Sequence, residues 1–150
     1  SLAVHGYTLS VSLKEPLNGP RSAIQESESG LVLHRMGQRI RVYAGAEVGP
    51  RPVVHDKKVV NRLYQALETY FPGATNYQAG KQVWQGTRYC LPDGLAAVGP
   101  SPVAGVSLNL GHGANGWGWA CGSAKILADQ LAGRDSEVAV ALLHPDRFTR

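Results

Sequence analysis

The chain has 150 residues, of which 43% are hydrophobic and 17% are charged, the composition of an ordinary globular domain. Its formal charge of +4 at pH 7 comes from 15 lysines and arginines that are scattered along the chain. Without a basic stripe or a recognisable motif, nucleic-acid binding is not expected, and no apolar run approaches the roughly 20 residues that a membrane-spanning helix needs.

The first part of the chain is predicted to be an antiparallel meander. Residues 7–13 alternate between apolar and polar side chains, which predicts an opening strand with one buried face. The residues of that face are Tyr7, Leu9, Val11 and Leu13. After a loop of proline and glycine, short strands are predicted at residues 23–25, 31–35 and 39–46, with a turn at residues 36–38.

A helix that packs on this sheet is predicted next. Asp56 is a suitable N-cap, and Pro72 and Gly73 end the helix. Its apolar residues recur at helical spacing: Val59, Leu63, Ala66, Leu67 and Tyr70.

Two strands and a second helix are predicted in the rest of the chain. The strands are at residues 82–88 and 106–110, and residues 92–94 form a turn between them. A glycine loop then leads into a helix from about Trp117 to Ala132, which Gly133 ends. The apolar face of that helix is predicted to be Ala120, Ala124, Leu127, Ala128 and Leu131. Residues 138–143 are compatible with a strand or a helical turn.

Metal and hydrolase chemistry have little support in the sequence. The five histidines form no i, i+4 pair and have no cysteine nearby, so no metal site is predicted. Ser123 lies inside a predicted helix and lacks the sharp turn of a nucleophilic serine. Cys90 and Cys121 are expected to be two buried, reduced thiols.

A possible substrate pocket lies on the strand that ends at Arg88. A period of two puts Trp84, Gly86 and Arg88 on one side, so that a gap separates an aromatic wall from a cation. A guanidinium held on a strand can bind a small carboxylate with two parallel hydrogen bonds. Strand geometry alone favours an arginine in a surface ion pair.

The glycine loop is predicted to face a cofactor. Gly111, Gly113 and Gly116 match the spacing of a dinucleotide fingerprint, but too few residues follow for a complete nucleotide-binding half. A helix N-terminus facing a planar ring that gains negative charge on reduction, such as a flavin, fits better. Trp117 and Trp119 could cover such a ring, although core packing is the commoner role of tryptophan.

Three stretches together resemble a known family. They are residues 6–10 (GYTLS), residues 84–94 (WQGTRYCLPDG) and residues 111–129, which begin GHGANGW. In this order they resemble the C-terminal part of the FAD-dependent D-amino acid oxidase and dehydrogenase superfamily, most closely the bacterial D-amino acid dehydrogenases. The resemblance covers nearly all of the chain.

The resemblance implies an α+β fold. Residues 1–96 would form a substrate-binding domain with an antiparallel or mixed sheet and a flanking helix. Residues 97–150 would supply a strand, loop and helix that complete a flavin-binding domain. The N-terminal FAD-binding half of the family has no counterpart in this chain.

The resemblance also implies site residues and partners. Substrate would be bound by Arg88 and Trp84, with Tyr7 or Tyr43 in place of the family's pocket tyrosine. FAD would be contacted by the loop residues Gly111, His112, Gly113, Ala114, Asn115, Gly116 and Trp117. A hydride would pass from the Cα of a small D-amino acid to FAD, giving an imino acid that hydrolyses to a 2-oxo acid and ammonia, and a respiratory or other acceptor would take the electrons. Such enzymes are cytoplasmic or peripheral on the inner face of the bacterial membrane.

The sequence departs from the family in ways that affect these expectations. Tyr89 replaces the usual proline after the arginine, Leu91 replaces the usual threonine, and Ala114 stands where glycine oxidases can carry an arginine. Because the FAD-binding half is missing, the chain alone is expected to bind FAD weakly, to be inactive, and to form a homo-oligomer or a domain swap. A free-standing amino-acid-binding module and a split subunit without redox activity remain the alternatives.

Overall fold

The structure is a computed structural model that describes residues 1–50 and 55–148. The chain forms two compact units. One comprises His5–Thr87, and the other comprises Ser1–Val4 together with the chain from Arg88 onward. Two helices and antiparallel strand pairs make up the described secondary structure, which confirms the mixed composition expected of an α+β fold.

The larger sheet has six strands. They are β1 (Leu2–Leu13), β2 (Ile24–Gln25), β3 (Val32–Met36), β4 (Arg39–Val48), β5 (Thr75–Asn76) and β6 (Gln82–Cys90). Their order is β2-β3-β4-β1-β5, and β6 also pairs with β1. The predicted hairpin is confirmed, since β3 and β4 are antiparallel with Met36 opposite Arg39, and Gly37 in the turn has φ +57°.

The core of the His5–Thr87 unit lies between the sheet and helix α1 (Lys57–Tyr70). Tyr7, Leu9 and Val11 are fully buried, as the alternation predicts, and they pack with Leu63 and Leu67 of α1. The predicted N-cap is also confirmed, because an Asp56 carboxylate oxygen accepts a 2.7 Å hydrogen bond from the Lys58 N–H.

Tyr70 does not join the buried face of α1, contrary to the prediction. Its side chain is 40% exposed, and its hydroxyl donates to Glu26 at 2.6 Å. A tyrosine in the last turn of a helix can keep its polar tip in water, and here a carboxylate partner holds it there. The hydrogen bond to Glu26 raises the pKa of Tyr70.

The second unit contains a two-stranded sheet and one long helix. Strand β7 (Ala97–Pro100) is antiparallel to β8 (Ser107–Leu110), with Ala97 opposite Leu110. A single 3₁₀ turn, Gly113–Asn115, leads into α2 (Gly116–Leu131). The buried core residues of this unit are Ala96, Val98, Ile126 and Leu143.

The apolar face predicted for α2 is wrong. Ala120, Ala124, Ala128 and Leu131 are exposed, whereas Ser123, Ile126 and Asp129 are buried. Only Leu127 of the predicted set packs against the core. The helix is rich in alanine and glycine, so its periodicity is weak, and the side that faces β7 is chosen by the bulk of Ile126 and Leu127.

Arg147 holds the last described segment, the 3₁₀ turn Pro145–Phe148, against the rest of its unit. Its guanidinium donates to Asp93 at 2.6 Å and to the carbonyl oxygens of Leu95 and Ala96 at 2.9 and 3.2 Å. Hydrogen bonds from Arg147 lower the pKa of Asp93. Of the two conformations open for residues 138–143, the structure has the helical one, since Ala141–Leu143 is a 3₁₀ turn.

The prediction of two buried thiols is wrong. Cys121 is exposed and Cys90 is partly exposed, and both are free thiols. Cys121 lies on α2 away from the Ile126 side, so its burial would require a neighbour beyond the described unit. No helix within residues 1–50 and 55–148 is long and apolar enough to cross a membrane.

Candidate functional site

A cavity of about 390 Å³ lies beside Arg88 in the second unit. Its lining is Ser1, Arg88, Tyr89, Leu110, Gly111, His112 and Gly113. The structure therefore brings the predicted carboxylate-binding arginine together with the first three residues of the predicted cofactor loop. A guanidinium beside a loop of backbone donors can hold a small anionic molecule.

The loop follows β8 and is pressed against the end of β6. Gly111 has φ +79°, and a Cβ at this position would lie 2.6 Å from the Leu91 side chain. Gly113 has φ +57°, and a Cβ there would lie 3.2 Å from the Cys90 sulfur. Cys90 also forms a backbone bridge with His112. Glycine is thus required at both positions by backbone conformation and by close packing.

Helix α2 begins without a side-chain cap in the described chain. Asn115 makes no capping hydrogen bond, and the first turn contains no acidic residue. The first N–H groups of a helix have no intrahelical partner, and they carry the positive end of its dipole. A helix start of this kind favours an electron-rich acceptor outside the helix.

His112 is oriented by a buried serine that sequence reasoning assigned no role. The Ser123 side chain is 1% exposed, and its hydroxyl donates to the Ala120 carbonyl oxygen at 3.2 Å. Because its one proton is used in that bond, the Ser123 hydroxyl must be the acceptor in its contact with His112 Nε2, which is 3.1 Å away. We assign the proton of the neutral ring to Nε2, which leaves Nδ1 as an acceptor.

The start of α2 also borders a larger groove of about 480 Å³. It is lined by Ala114, Asn115, Gly118, Trp119 and Gly122. Trp117 is 97% exposed and Trp119 is 43% exposed, so core packing is the wrong interpretation of both tryptophans. Trp117 projects from the side of α2 that is opposite Ile126, whereas Trp119, seven residues before Ile126, lies on the same side nearer the helix start. Small residues beside an indole leave room for a flat ring at this helix terminus.

The remaining substrate-site candidates lie in the His5–Thr87 unit. Trp84 is 64% exposed, and its ring covers Gly86, where an added Cβ would collide with it. The ring therefore occupies the space that the period-two argument left as a gap. Tyr43 is partly buried, and its hydroxyl donates to the Gly45 carbonyl oxygen at 3.2 Å.

Tyr7 is part of the core. Its side chain is fully buried, its hydroxyl donates to Glu47 at 3.1 Å, and its oxygen lies 3.3 Å from the Asp56 N–H. Burial is the main cause of its raised pKa. Tyr7 thus orients Glu47 and the start of α1 from inside the unit.

No cluster of three or more metal-ligating side chains occurs in the described part of the chain. The site has instead the features that suit an organic cofactor. The groove is lined by Gly118 and Gly122, where an added Cβ would meet nothing within 4 Å, and it borders a helix start without a side-chain cap. These features fit a planar ring such as isoalloxazine.

Comparison with known families matches residues 2–130 to the family described as FAD dependent oxidoreductase. The match covers most of the chain. The chain belongs to the FAD-dependent oxidoreductase family. Its resemblance to that family, inferred above from three stretches of sequence, is confirmed.

Curated relatives of this FAD-dependent oxidoreductase chain are named D-amino acid dehydrogenase. The protein from Bradyrhizobium diazoefficiens is 35% identical over 146 residues, which are 97% of this chain and 34% of that protein. The protein from Rhodopseudomonas palustris is 34% identical over the same shares. The chain thus spans about a third of the length of the curated relatives that it matches.

Solved structures share the fold. Glycine oxidase from Geobacillus kaustophilus superposes with a TM-score of 0.81 at 20% identity, over 96% of this chain and 39% of that one. Iminodiacetate oxidase from Chelativorans sp. BNC1 superposes with a TM-score of 0.75 at 19% identity, over 95% and 39%. This chain therefore shares its fold with part of each of these two proteins.

Sequence reasoning missed two parts of the site. Ser123 was considered only as a nucleophile, and its place two turns into α2, eleven residues after His112, was the available signal. The contacts of Leu91 and Cys90 with the loop were also missed, because a cross-strand bridge has no signature in the sequence.

Proposed function

We propose that this chain is the substrate-binding and flavin-facing part of a flavoenzyme that oxidatively deaminates small D-amino acids. The observation that carries the proposal is the cavity shared by Arg88 and the Gly111–Gly113 loop. The names of the relatives support the substrate class and its D configuration. The proposed division of labour assigns substrate binding to residues 1–96 and completion of the flavin domain to residues 97–150.

Arg88 would bind the substrate carboxylate. Two parallel, charge-assisted hydrogen bonds fix both the position and the plane of a carboxylate, which a single ammonium group cannot do. Orientation matters because a D-amino acid has a single Cα–H bond, which must point towards the hydride acceptor. Tyr7 would act from the core of the His5–Thr87 unit as a support of the sheet.

The loop and the first turn of α2 would hold FAD. Backbone N–H groups between Gly111 and Trp117 would donate to the electron-rich edge of the ring, and the helix dipole would favour negative charge there. When bound, FAD supplies the chemistry by accepting the hydride from the substrate Cα. His112 would present Nδ1 as an acceptor while Ser123 holds Nε2.

The experiment uses the protein that carries this chain, loaded with FAD and assayed with D-alanine and a dye acceptor. We expect Arg88→Gln to lower kcat/KM by about ten- to a hundredfold, the loss that corresponds to ~1.5–3 kcal/mol for hydrogen bonds to a charged group. Arg62→Gln, which removes an exposed arginine of α1, is the matched control. An unchanged kcat/KM for Arg88→Gln would refute the role of Arg88.

The 150-residue chain alone is expected to bind FAD weakly and to show no turnover. The chain spans about a third of the length of its relatives. The start of α2 would supply contacts to only part of the cofactor. Gel filtration after incubation with FAD measures this directly. A flavin absorbance band that stays with the chain would contradict the expectation.

A further inference from the structure

A second groove, of about 390 Å³, lies entirely within the His5–Thr87 unit. Its lining is Thr8 and Ser10 of β1, Arg41 of β4, and Gln82 and Trp84 of β6. Side chains alternate along a strand, so Thr8 and Ser10 project from the face of β1 that is opposite the core residues Tyr7 and Leu9. The groove is therefore on the face of the sheet that α1 does not cover.

Two arginines on β4 differ sharply in this region. Arg39 is fully engaged: its Nε donates to Ser10 Oγ at 2.9 Å, and its terminal nitrogens donate to Ser12 Oγ at 3.1 Å and to the Ser10 and Gly80 carbonyl oxygens. Arg41, two residues later on the same face, has a buried Nε with no hydrogen-bond partner among residues 1–50 and 55–148. A buried donor without a partner is costly, so its presence indicates a missing acceptor.

The polar side chains of the groove can all donate. Ser10 Oγ accepts from Arg39, which leaves its own hydroxyl proton for another acceptor. Thr8 and Gln82 add a hydroxyl and an amide, and no carboxylate is present among the five lining residues. One guanidinium in the lining, with a second beside it, makes the site positive. Its ligand should therefore be an anion.

Trp84 narrows the chemical class of that anion. Its ring is 64% exposed and rests on Gly86, which fixes a flat apolar wall along β6. An apolar ring forms few favourable contacts with an inorganic ion, whereas it packs well against the aliphatic part of an organic acid. We propose that this groove binds a small aliphatic carboxylate, with the carboxylate on Arg41 and the aliphatic body against Trp84.

The test measures binding to the full 150-residue chain without flavin. Propionate is titrated while NMR follows the indole N–H signal of Trp84, which Trp84→Phe identifies among the three tryptophans. Propionamide, which has the same shape without the charge, and inorganic phosphate, which has charge without an aliphatic body, are titrated in parallel. We expect saturable shifts with propionate and at least about tenfold weaker binding of the other two probes.

The variants assign the effect to Arg41. Arg41→Gln should weaken propionate binding about tenfold or more, and Arg62→Gln, with the same change of charge on α1, should leave it within about twofold. Arg41→Lys keeps the positive charge and replaces Arg41→Gln in the test if that variant does not fold. It should bind propionate with intermediate affinity, because an ammonium group lacks the planar pair of donors of a guanidinium.

Equal shifts with propionamide, tighter binding of phosphate, or an Arg41 variant that binds like the original chain would each overturn the proposal. Because neither flavin nor turnover enters the measurement, such a failure would leave the proposed deamination untouched.

Discussion

The two compact units of this chain are stabilised in different ways. Among the described residues of the His5–Thr87 unit, eleven buried hydrophobic side chains form one core between a sheet and α1. The core of the other unit has four among its described residues, and its helix exposes Trp117 almost completely. Ion pairs and hydrogen bonds of Asp129, Arg147 and Ser123 hold its loops instead. The first unit thus has a buried scaffold, whereas the second exposes apolar surface around the start of α2.

The largest loss of stability is expected from a substitution in the core of the His5–Thr87 unit. Leu63 is fully buried beneath the sheet, so Leu63→Ala removes apolar contacts and leaves a cavity. We expect a loss of about 2–5 kcal/mol in the free energy of unfolding, measured by denaturant titration. Leu131→Ala, at a position on α2 that is 70% exposed, should cost less than about 0.5 kcal/mol. Equal costs would show that the core of the first unit is not what stabilises it.

A smaller effect is expected from the polar clamp of the second unit. Arg147→Gln removes donors to the carbonyl oxygens of Leu95 and Ala96, which would be left without their partner. We expect a loss of ~1–3 kcal/mol, with faster amide exchange in the segment that Arg147 holds. Arg134→Gln, whose side chain is 63% exposed, is the comparison. If it costs as much as Arg147→Gln, the carbonyl contacts are not the source of the stability.

The acid dependence of stability sharpens the comparison further. Asp129 is 2% exposed and pairs with Lys125 and Arg134, and these partners lower its pKa. Because the pKa of Asp129 is lowered in the folded state, its carboxylate stabilises the fold at pH values above the ordinary aspartate pKa. This stabilisation is lost as the pH falls through the folded-state pKa. Asp129→Asn should therefore lower the melting temperature by a few degrees at neutral pH.

The difference between Asp129→Asn and the original chain should shrink towards acid pH. Asp135→Asn, at an exposed carboxylate, should leave the melting temperature unchanged throughout. A difference for Asp129→Asn that stays constant down to strongly acid pH would mean that the ion pairs do not contribute.

The smallest expected effect concerns the loop itself. Ser123→Ala removes the acceptor for His112 Nε2, so both neutral tautomers of His112 should become populated. Long-range ¹H–¹⁵N spectra of the imidazole measure this, with the original chain showing a protonated Nε2. Ser107→Ala, on the exposed strand β8, is the control. An unchanged spectrum after Ser123→Ala would show that the serine does not orient the ring.

The sequence predicts the scaffold better than the site. Alternation in β1, the turn at Gly37 and the Asp56 cap are local signals, and each is confirmed. Strand β7 has no such signal, because glycine and proline interrupt it and its pairing with β8 decides its conformation. The buried side of α2 was missed for the same reason: a helix of small residues acquires its orientation from its neighbours.

The site follows the same division. Arg88 and the glycine loop could be named from their order along the chain, and the structure brings them to one cavity. The hydrogen bond of Ser123 to His112 and the contact of Leu91 with Gly111 depend on tertiary packing, which no spacing encodes.

The proposed function of the Arg88 cavity and the glycine loop is flavin-dependent oxidation of a D-amino acid. The most direct test mixes the FAD-loaded protein that carries this chain with D-alanine or L-alanine in the absence of oxygen and of any other acceptor, and follows the absorbance of oxidised flavin. We expect rapid bleaching by D-alanine, slow or no bleaching by L-alanine, and loss of the D-alanine reaction in Arg88→Gln. Bleaching by L-alanine alone, or by neither enantiomer, would contradict it.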